Sequence, residues 1–140
     1  MWRNRIAGLL ALLLAFSFAT ALPAGAATAP PTASAADGYV YAYTEVGADC
    51  HWSNNAPSWG DCTNNVNAVF NNGYMATNDK VNLYWGASYA GAWACIGRGD
   101  TWWPLSSGQW IFSWGPGRSG YGQSVQDNIA SSKWVSYCGN

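Results

Sequence analysis

One pattern occurs twice in this 140-residue chain, and the duplication constrains the fold more than any other feature of the sequence. A turn-like segment at residues 127–132 (DNIASS) has a weaker copy at residues 63–68 (TNNVNA). A tyrosine, a glycine and a cysteine precede each copy, namely Tyr41, Gly47 and Cys50 before the first and Tyr84, Gly91 and Cys95 before the second. The duplication predicts two copies of one all-β unit.

Short alternating segments between turn-forming residues predict β-strands. They are rich in aromatic and β-branched residues and lie at residues 39–43, 66–70, 81–85 and 110–114. No segment after residue 36 carries a sustained helical period. The frequent Gly and Asn turns between short strands predict a β-sandwich. The second copy is the longer one, with its surplus between Gly97 and Gln123, and such a loop region is where specificity would lie.

The repeated motif also resembles a known superfamily. Tyr84, followed after six residues by Gly91 and later by the pattern Asn/Asp-Asn/Asp-x-x-Ser/Thr-Ser, resembles the Greek-key motif of the βγ-crystallins. More narrowly, residues 64–73 (NNVNAVFNNG) and 127–135 (DNIASSKWV) resemble the secreted actinobacterial proteins grouped as peptidase inhibitor family I36. The resemblance implies an all-β, βγ-crystallin-like sandwich of two Greek-key motifs, and a secreted inhibitor of extracellular peptidases, typified by a metalloproteinase inhibitor. No reactive-site residue carries over. The characterised inhibitor has its reactive bond at a cysteine in a short disulfide-closed loop, and this chain has no comparably close cysteine pair after Gly91.

The N-terminus predicts export. Arg3 and Arg5 precede an apolar run over residues 6–22 and Ala-x-Ala sites, which is typical of a secretory signal peptide. We expect the signal peptide over residues 1–26, with cleavage between residues 26 and 36, a flexible leader over 27–37, and one folded domain over 38–140. The mature protein is then extracellular, has no membrane segment after signal cleavage, and is expected to be a monomer.

Charge and cysteine content narrow the possible partners. Only four scattered cations follow the predicted leader, namely Lys80, Arg98, Arg118 and Lys133. Nucleic acid requires clustered cations, so we expect no nucleic-acid partner. In an exported domain the four cysteines predict two disulfides, and the absence of a Cys-x-x-Cys pair disfavours zinc. Three pairings are possible; the duplicated layout favours Cys50 with Cys62 and Cys95 with Cys138, and a crossed arrangement stays open.

Oxygen-bearing side chains of the duplicated turn are candidate calcium ligands. In βγ-crystallins an acidic or amide residue, a backbone carbonyl and a hydroxyl of this motif meet between paired Greek keys. The residues that match are Asp127, Asn128 and Ser131 in the second copy and Asn64 and Asn65 in the first. Ala68 and Val69 replace the hydroxyls of the first copy, so we expect no required cofactor and only weak calcium binding. The alternative is that Asn128 and Ser131 close the turn through hydrogen bonds to the backbone.

The surplus of the second copy contains the candidate partner-binding residues, Arg98, Asp100, Trp102 and Trp103. Adjacent Trp102 and Trp103 cannot both be buried on one strand face. Trp110, Phe112 and Trp114 would share one face of a strand, and we expect that face to fill the core. The partner predicted by the resemblance is an extracellular protease. The alternatives are a glycan or cell-wall binding module and a small secreted antimicrobial toxin on the same scaffold.

Catalytic signatures are missing from the sequence. His51 is the only histidine and Glu45 the only glutamate, and neither belongs to a zinc-protease, nucleophile-elbow or phosphate-loop motif. The seven acids are singly scattered, whereas a glycosidase needs two placed carboxylates. The chain is therefore not predicted to be an enzyme.

Overall fold

The computed structural model describes residues 35–47 and 49–139; the predicted signal peptide and most of the predicted leader lie outside these residues. The described residues form seven strands: β1 (Tyr39–Tyr43), β2 (Asp49–Trp52), β3 (Ala68–Asn72), β4 (Lys80–Tyr84), β5 (Trp93–Ile96), β6 (Thr101–Trp102) and β7 (Ser131–Val135). In this part of the chain the helical segments are three single turns of 3₁₀ type, at Gly60–Cys62, Ala87–Tyr89 and Leu105–Ser107. Within the described ranges, no helix has the length and apolar character needed to cross a bilayer.

The strands form two antiparallel sheets, and each copy of the duplicated unit pairs with the sheet of the other. The first sheet has the order β2-β1-β3-β6 and the second the order β5-β4-β7. Strand β6 comes from the second copy but pairs with β3 of the first, at Val69 and Trp102. In return, Ala56 of the first copy pairs with Ser132 of β7. This exchange interlocks two Greek keys, and it confirms the predicted all-β sandwich.

Most predicted strands are present, with small shifts. β1 has the predicted bounds, while β3 and β4 begin two residues after and one residue before the predicted starts. The strand predicted over residues 110–114 is wrong. Ile111 pairs with Ser124 in an isolated bridge, and Trp114 pairs instead with Trp93 at the edge of the second sheet. Because the segment changes partner within three residues, its side chains do not alternate as a strand requires: Phe112 is fully buried, whereas Trp114 is 42% exposed.

The core lies between the two sheets. Alternate residues of β1, Val40 and Ala42, face inward and are fully buried, as are Val81 and Leu83 of β4. Trp59 is the largest buried side chain, and Trp52 stacks on it with ring centroids 4.6 Å apart. Large aromatic side chains thus fill much of a small core, since each removes a large apolar area from water.

Strand register shows which residues of the two copies correspond. Tyr43 pairs with Ala68 in the first sheet, and Tyr84 pairs with Ser131 in the second. Tyr43 is therefore the counterpart of Tyr84, and the predicted equivalence of Tyr41 with Tyr84 is wrong by two residues. The same register aligns Asn64 with Asp127, and both residues adopt a left-handed backbone, with φ of 54° and 53°.

Both predicted disulfides are confirmed: Cys50 is bonded to Cys62 and Cys95 to Cys138. They do not occupy equivalent positions, because the β1–β2 and β4–β5 registers match Cys95 with His51 rather than with Cys50. Cys62 is 1% exposed and belongs to the core. Two disulfides indicate an oxidising compartment.

Candidate functional site

The two equivalent turns are bonded to each other. The Asn64 N–H donates to the Ile129 carbonyl at 2.9 Å, and the Asp127 N–H donates to the Val66 carbonyl at 3.5 Å. A further bond involves the side chain of the second turn: the Val66 N–H donates to Asp127 Oδ1 at 3.1 Å. The structure therefore brings Asp127 and the Asn64 turn together, as the duplicated motif predicts.

Two of the other candidate calcium ligands, Asn128 and Ser131, already donate hydrogen bonds to backbone carbonyls. Asn128 Nδ2 donates to the carbonyls of Ser124 and Gln126, at 3.1 and 3.0 Å, and closes its own turn. The buried Ser131 hydroxyl donates to the Gly86 carbonyl at 2.6 Å. Asn65 is exposed beside Asn64. No group of three or more His, Cys, Asp or Glu side chains comes together within residues 35–47 and 49–139; the calcium site stays a prediction.

Arg98 and Asp100 lie in a tight turn that is anchored to β3. The Gly99 N–H donates to the Asn71 carbonyl at 2.8 Å, and the Asn71 N–H donates to the Asp100 carbonyl at 3.1 Å. Arg98 is exposed, and its Nε lies 3.2 Å from Asp79 Oδ2. The loop is therefore held by main-chain hydrogen bonds at its base, and Arg98 forms an ion pair with Asp79.

Asp79 accepts hydrogen bonds from two cations. Lys80 Nζ lies 2.9 Å from Oδ1 and Arg98 Nε 3.2 Å from Oδ2. The bond from Lys80, opposed by burial and reinforced by Arg98, holds the pKa of the Asp79 carboxyl below its ordinary value. This carboxylate stays charged under ordinary conditions and fixes one side of the Arg98 guanidinium.

The adjacent tryptophans of the second copy point to different environments, as predicted. Trp102 is half-buried against the core and stacks on Trp110, with ring centroids 5.7 Å apart and an interplanar angle of 20°. Trp103 is 39% exposed. Of the two, Trp103 is the one whose removal would leave the core intact.

A groove of about 280 Å³ lies where this tryptophan stack meets the edge of the second sheet. We refer to it as the tryptophan groove, and it is lined by Ala94, Cys95, Trp102, Gln109, Trp110, Ile111, Ser113, Trp114 and Cys138. Three of these residues are tryptophans and none carries a charge. One wall contains the Cys95–Cys138 disulfide, so the groove is braced by a covalent bond.

Sequence reasoning named the three tryptophans of this groove but missed Gln109 and Ser113. A regular strand over residues 110–114 would place Ser113 on the face opposite Trp110 and Trp114. The change of partner between Ile111 and Trp114 brings side chains of both faces to one groove. The available signal was that Gln109 and Ser113 each directly precede a tryptophan in residues 109–114 (QWIFSW).

Comparison with known proteins supports the fold and goes no further. No family model matches the chain, and no curated protein sequence matches it significantly. A structural match comes from work on the evolution of the eye lens beta-gamma-crystallin domain fold, with a TM-score of 0.50 and 13% sequence identity. The match covers 77% of this chain and 95% of that one. The chain therefore has a βγ-crystallin fold.

Proposed function

We propose that the protein is a secreted, non-enzymatic glycan-binding module that holds a neutral saccharide in the tryptophan groove. The observation that carries the proposal is the composition of that groove, which combines exposed and half-buried indole rings with uncharged polar side chains. Ligand sites in proteins commonly combine aromatic walls with a few placed polar groups. The C–H face of a sugar ring packs on an indole, and its hydroxyls require neutral donors and acceptors.

Several properties of the groove support this ligand class. Trp114 is 42% exposed, so part of its ring is available for stacking. Gln109 supplies both a donor and an acceptor, and Ser113 supplies a hydroxyl. The stacking of Trp102 on Trp110 and the disulfide wall limit side-chain freedom, which lowers the entropy lost on binding. The volume of about 280 Å³ lies at the small end for ligand sites, so the groove would hold only a short segment of a saccharide chain.

Titration calorimetry with cellohexaose, xylohexaose and N-acetylchitohexaose tests the proposal. We expect Trp114→Ala to weaken binding by at least about tenfold, since an aromatic anchor commonly contributes more than about 1.4 kcal/mol. Trp85→Ala is the matched control, because Trp85 is 36% exposed and lies outside the groove. Equal losses in both variants, or no binding of any of these sugars by the unmodified protein, would contradict the proposal.

A second candidate is inhibition of an extracellular peptidase, which the resemblance to family I36 implies. The observation in its favour is the turn at residues 97–100, which presents the exposed Arg98 on a base bonded to Asn71. A loop that is already ordered enters a protease cleft at little entropic cost. Gly99 adopts a φ of +80° at the tip, a conformation that suits glycine.

Inhibition is tested against a panel of extracellular metalloproteases and trypsin-like serine proteases. We expect Arg98→Ala to weaken inhibition by at least about tenfold if this loop is the contact. Lys80→Ala is the control, because Lys80 also pairs with Asp79 but lies on β4. Failure of the unmodified protein to inhibit any member of the panel would remove this candidate and leave glycan binding untouched.

A further inference from the structure

A second groove, larger than the tryptophan groove, lies between the segment after β2, the linker after β3, and β7. Its volume is about 490 Å³. We refer to it as the amide groove, and it is lined by Gly38, Ser53, Asn54, Asn55, Tyr74, Ala76, Asn78 and Trp134. No residue lines both grooves, so a substitution in the lining of one leaves the lining residues of the other unchanged.

Two aromatic rings in the amide groove are supported by glycine backbone. A Cβ on Gly38 would lie 2.6 Å from Tyr74 Cε2, and a Cβ on Gly73 would lie 2.7 Å from Trp134 Cζ3. Each ring therefore packs where only a glycine leaves room. Tyr74 is nevertheless 60% exposed, so it is backed by main chain on one side and open on the other. Such a ring is a preformed stacking surface.

The polar lining of the amide groove consists of side-chain amides and a hydroxyl. Asn55 Oδ1 accepts a hydrogen bond from the backbone N–H of Trp134 at 2.8 Å. This bond fixes the Asn55 amide and leaves its NH₂ group as a donor. Asn54 Nδ2 lies 3.3 Å from Ser53 Oγ. Asn78, in the linker between β3 and β4, also lines the groove and is exposed. Several donors and acceptors are thus collected in one concavity.

The chemistry of the lining selects the class of ligand. No charged side chain lines the groove, which disfavours phosphate, carboxylate and ammonium ligands, since their charge would find no partner. A carboxamide offers a donor and an acceptor side by side, and this pair matches two neighbouring hydroxyls of a sugar. The Tyr74 ring offers the apolar surface that the other face of a sugar requires.

We infer that the amide groove is a saccharide-binding site in its own right, in which Tyr74 stacks on a neutral sugar ring and Asn54, Asn55 and Asn78 bind its hydroxyls. The inference stands whether or not the tryptophan groove binds a ligand, because the two linings are disjoint. If both grooves are occupied, the protein is bivalent, and attachment to a polymeric glycan gains from the high effective concentration at the second site.

The test is an amide-correlation NMR titration of the mature protein with N-acetylchitohexaose, cellohexaose and xylohexaose, followed through the side-chain NH₂ signals of Asn54, Asn55 and Asn78. We expect at least one of these sugars to shift these signals. Tyr74→Ala should weaken this binding by at least about tenfold, whereas Tyr74→Phe, which keeps the ring, should stay within about threefold. Tyr121→Ala is the matched control, because Tyr121 is 48% exposed and lines neither groove.

The remaining outcomes each decide the inference. Shifts confined to the indole signals of Trp102, Trp110 and Trp114 would overturn it while supporting the proposed function. Amide-groove shifts that survive Trp114→Ala would support it even if the tryptophan groove binds nothing. No shift in the three asparagine signals with any of the three sugars would overturn it, as would equal losses in Tyr74→Ala and Tyr121→Ala. Thermal unfolding of each variant checks that the fold is intact, which we expect because Tyr74 is exposed.

Discussion

The two copies of the duplicated turn share a backbone and differ in how they are held. Asn64 and Asp127 have the same left-handed φ, and strand β3 begins four residues after the first as β7 does after the second. The first turn continues into Ala68 and Val69, which are buried and apolar. The second continues into two buried serines. The residues that follow the first turn are held by apolar packing, and those that follow the second are held by hydrogen bonds.

The serines of the second turn bind other parts of the fold. Ser131 accepts the Tyr89 N–H at 3.0 Å and donates to the Gly86 carbonyl. Ser132 Oγ accepts the Trp59 Nε1–H at 2.9 Å, and so connects the second copy to the core tryptophan of the first. The comparison teaches that pairing and backbone conformation preserve the turn, while its side chains are free to take different structural roles.

The largest expected losses of stability come from removing the disulfides, one in each copy. The bridges close loops of 12 and 43 residues, which corresponds to about 3 and about 4 kcal/mol of stabilisation in the chain-entropy description. We expect the double substitution Cys95→Ala/Cys138→Ala to lower the free energy of unfolding more than Cys50→Ala/Cys62→Ala does. Urea denaturation measures both. A loss below about 1 kcal/mol for either pair would show that this bridge does not constrain the unfolded chain.

The Trp59–Ser132 bond gives the next effect. We expect Ser132→Ala to destabilise the protein by about 1–3 kcal/mol, because the buried indole N–H loses its acceptor. In a Trp59→Phe background, which has no such donor, the same change should cost about 1 kcal/mol or less. A double-mutant cycle from denaturant curves measures the difference. Equal costs in the two backgrounds would mean that the bond contributes nothing.

The turn residues themselves provide a smaller contrast. We expect Asp127→Gly to cost about 1–2 kcal/mol, because glycine accepts the left-handed backbone but cannot bond the Val66 N–H. Asn64→Gly, at the equivalent backbone position, should cost less than about 0.5 kcal/mol. Denaturation of both variants gives the comparison, and a reversed order would show that Asn64 stabilises its turn more than Asp127 does.

Calcium binding would sharpen the same contrast. We expect at most one site tighter than about millimolar, the weak range of extracellular modules, and we expect Asp127→Ala to abolish it. Calorimetry with CaCl₂ is the measurement. Two equal sites would indicate that the first turn binds calcium without its hydroxyls.

The smallest expected effect is the pH dependence that arises from the Tyr41–Asp37 pair of the first copy. The hydrogen bond that Tyr41 donates to Asp37 at 2.6 Å is the main cause that raises the pKa of Tyr41 to about 12. Burial acts to raise the pKa of Asp37, but hydrogen bonds from Tyr41 and from the Tyr39 N–H outweigh it and leave that pKa below its ordinary value. Register places Asn82, which does not titrate, at the position of Tyr41 in the second copy.

The direction in which stability changes with pH follows from these two pKa shifts. A raised tyrosine pKa stabilises the fold fully below the ordinary value of 10.0, and this contribution is lost as pH rises through about 12. The contribution of Asp37 is lost as pH falls through its lowered pKa. We expect Tyr41→Phe to flatten stability at both ends, measured by urea denaturation from acid to alkaline pH. An unchanged alkaline slope in Tyr41→Phe would assign that slope to other tyrosines.

Local and duplicated features of the fold were predictable from the sequence. β1 alternates apolar and aromatic residues along one chain segment, so its inward face could be read directly. The duplicated layout favours one disulfide within each copy. This pairing is right, although Cys50 and Cys95 are not at equivalent positions. The prediction is correct because each bridge stays within one copy, not because the two bridges occupy equivalent positions.

Features that depend on distant partners were not predictable. Residues 110–114 have the composition of a strand, but their pairing is decided by Ser124 and Trp93. The amide groove collects Gly38, Asn54 and Trp134 from three separate segments, each of which has the local pattern of a turn or a strand. A single sequence carries the local preferences of these segments but not the contacts that bring them together.

The pairing of each copy with the sheet of the other has a consequence for how the chain acquires its structure. Because β6 completes the first sheet and Ala56 caps the second, neither half can satisfy its own sheet edge. A chain interrupted in the linker at residues 73–79 would yield two fragments with open edges, and such edges recruit other chains. We therefore expect folding to require both halves, at a rate set by contacts between residues far apart along the chain.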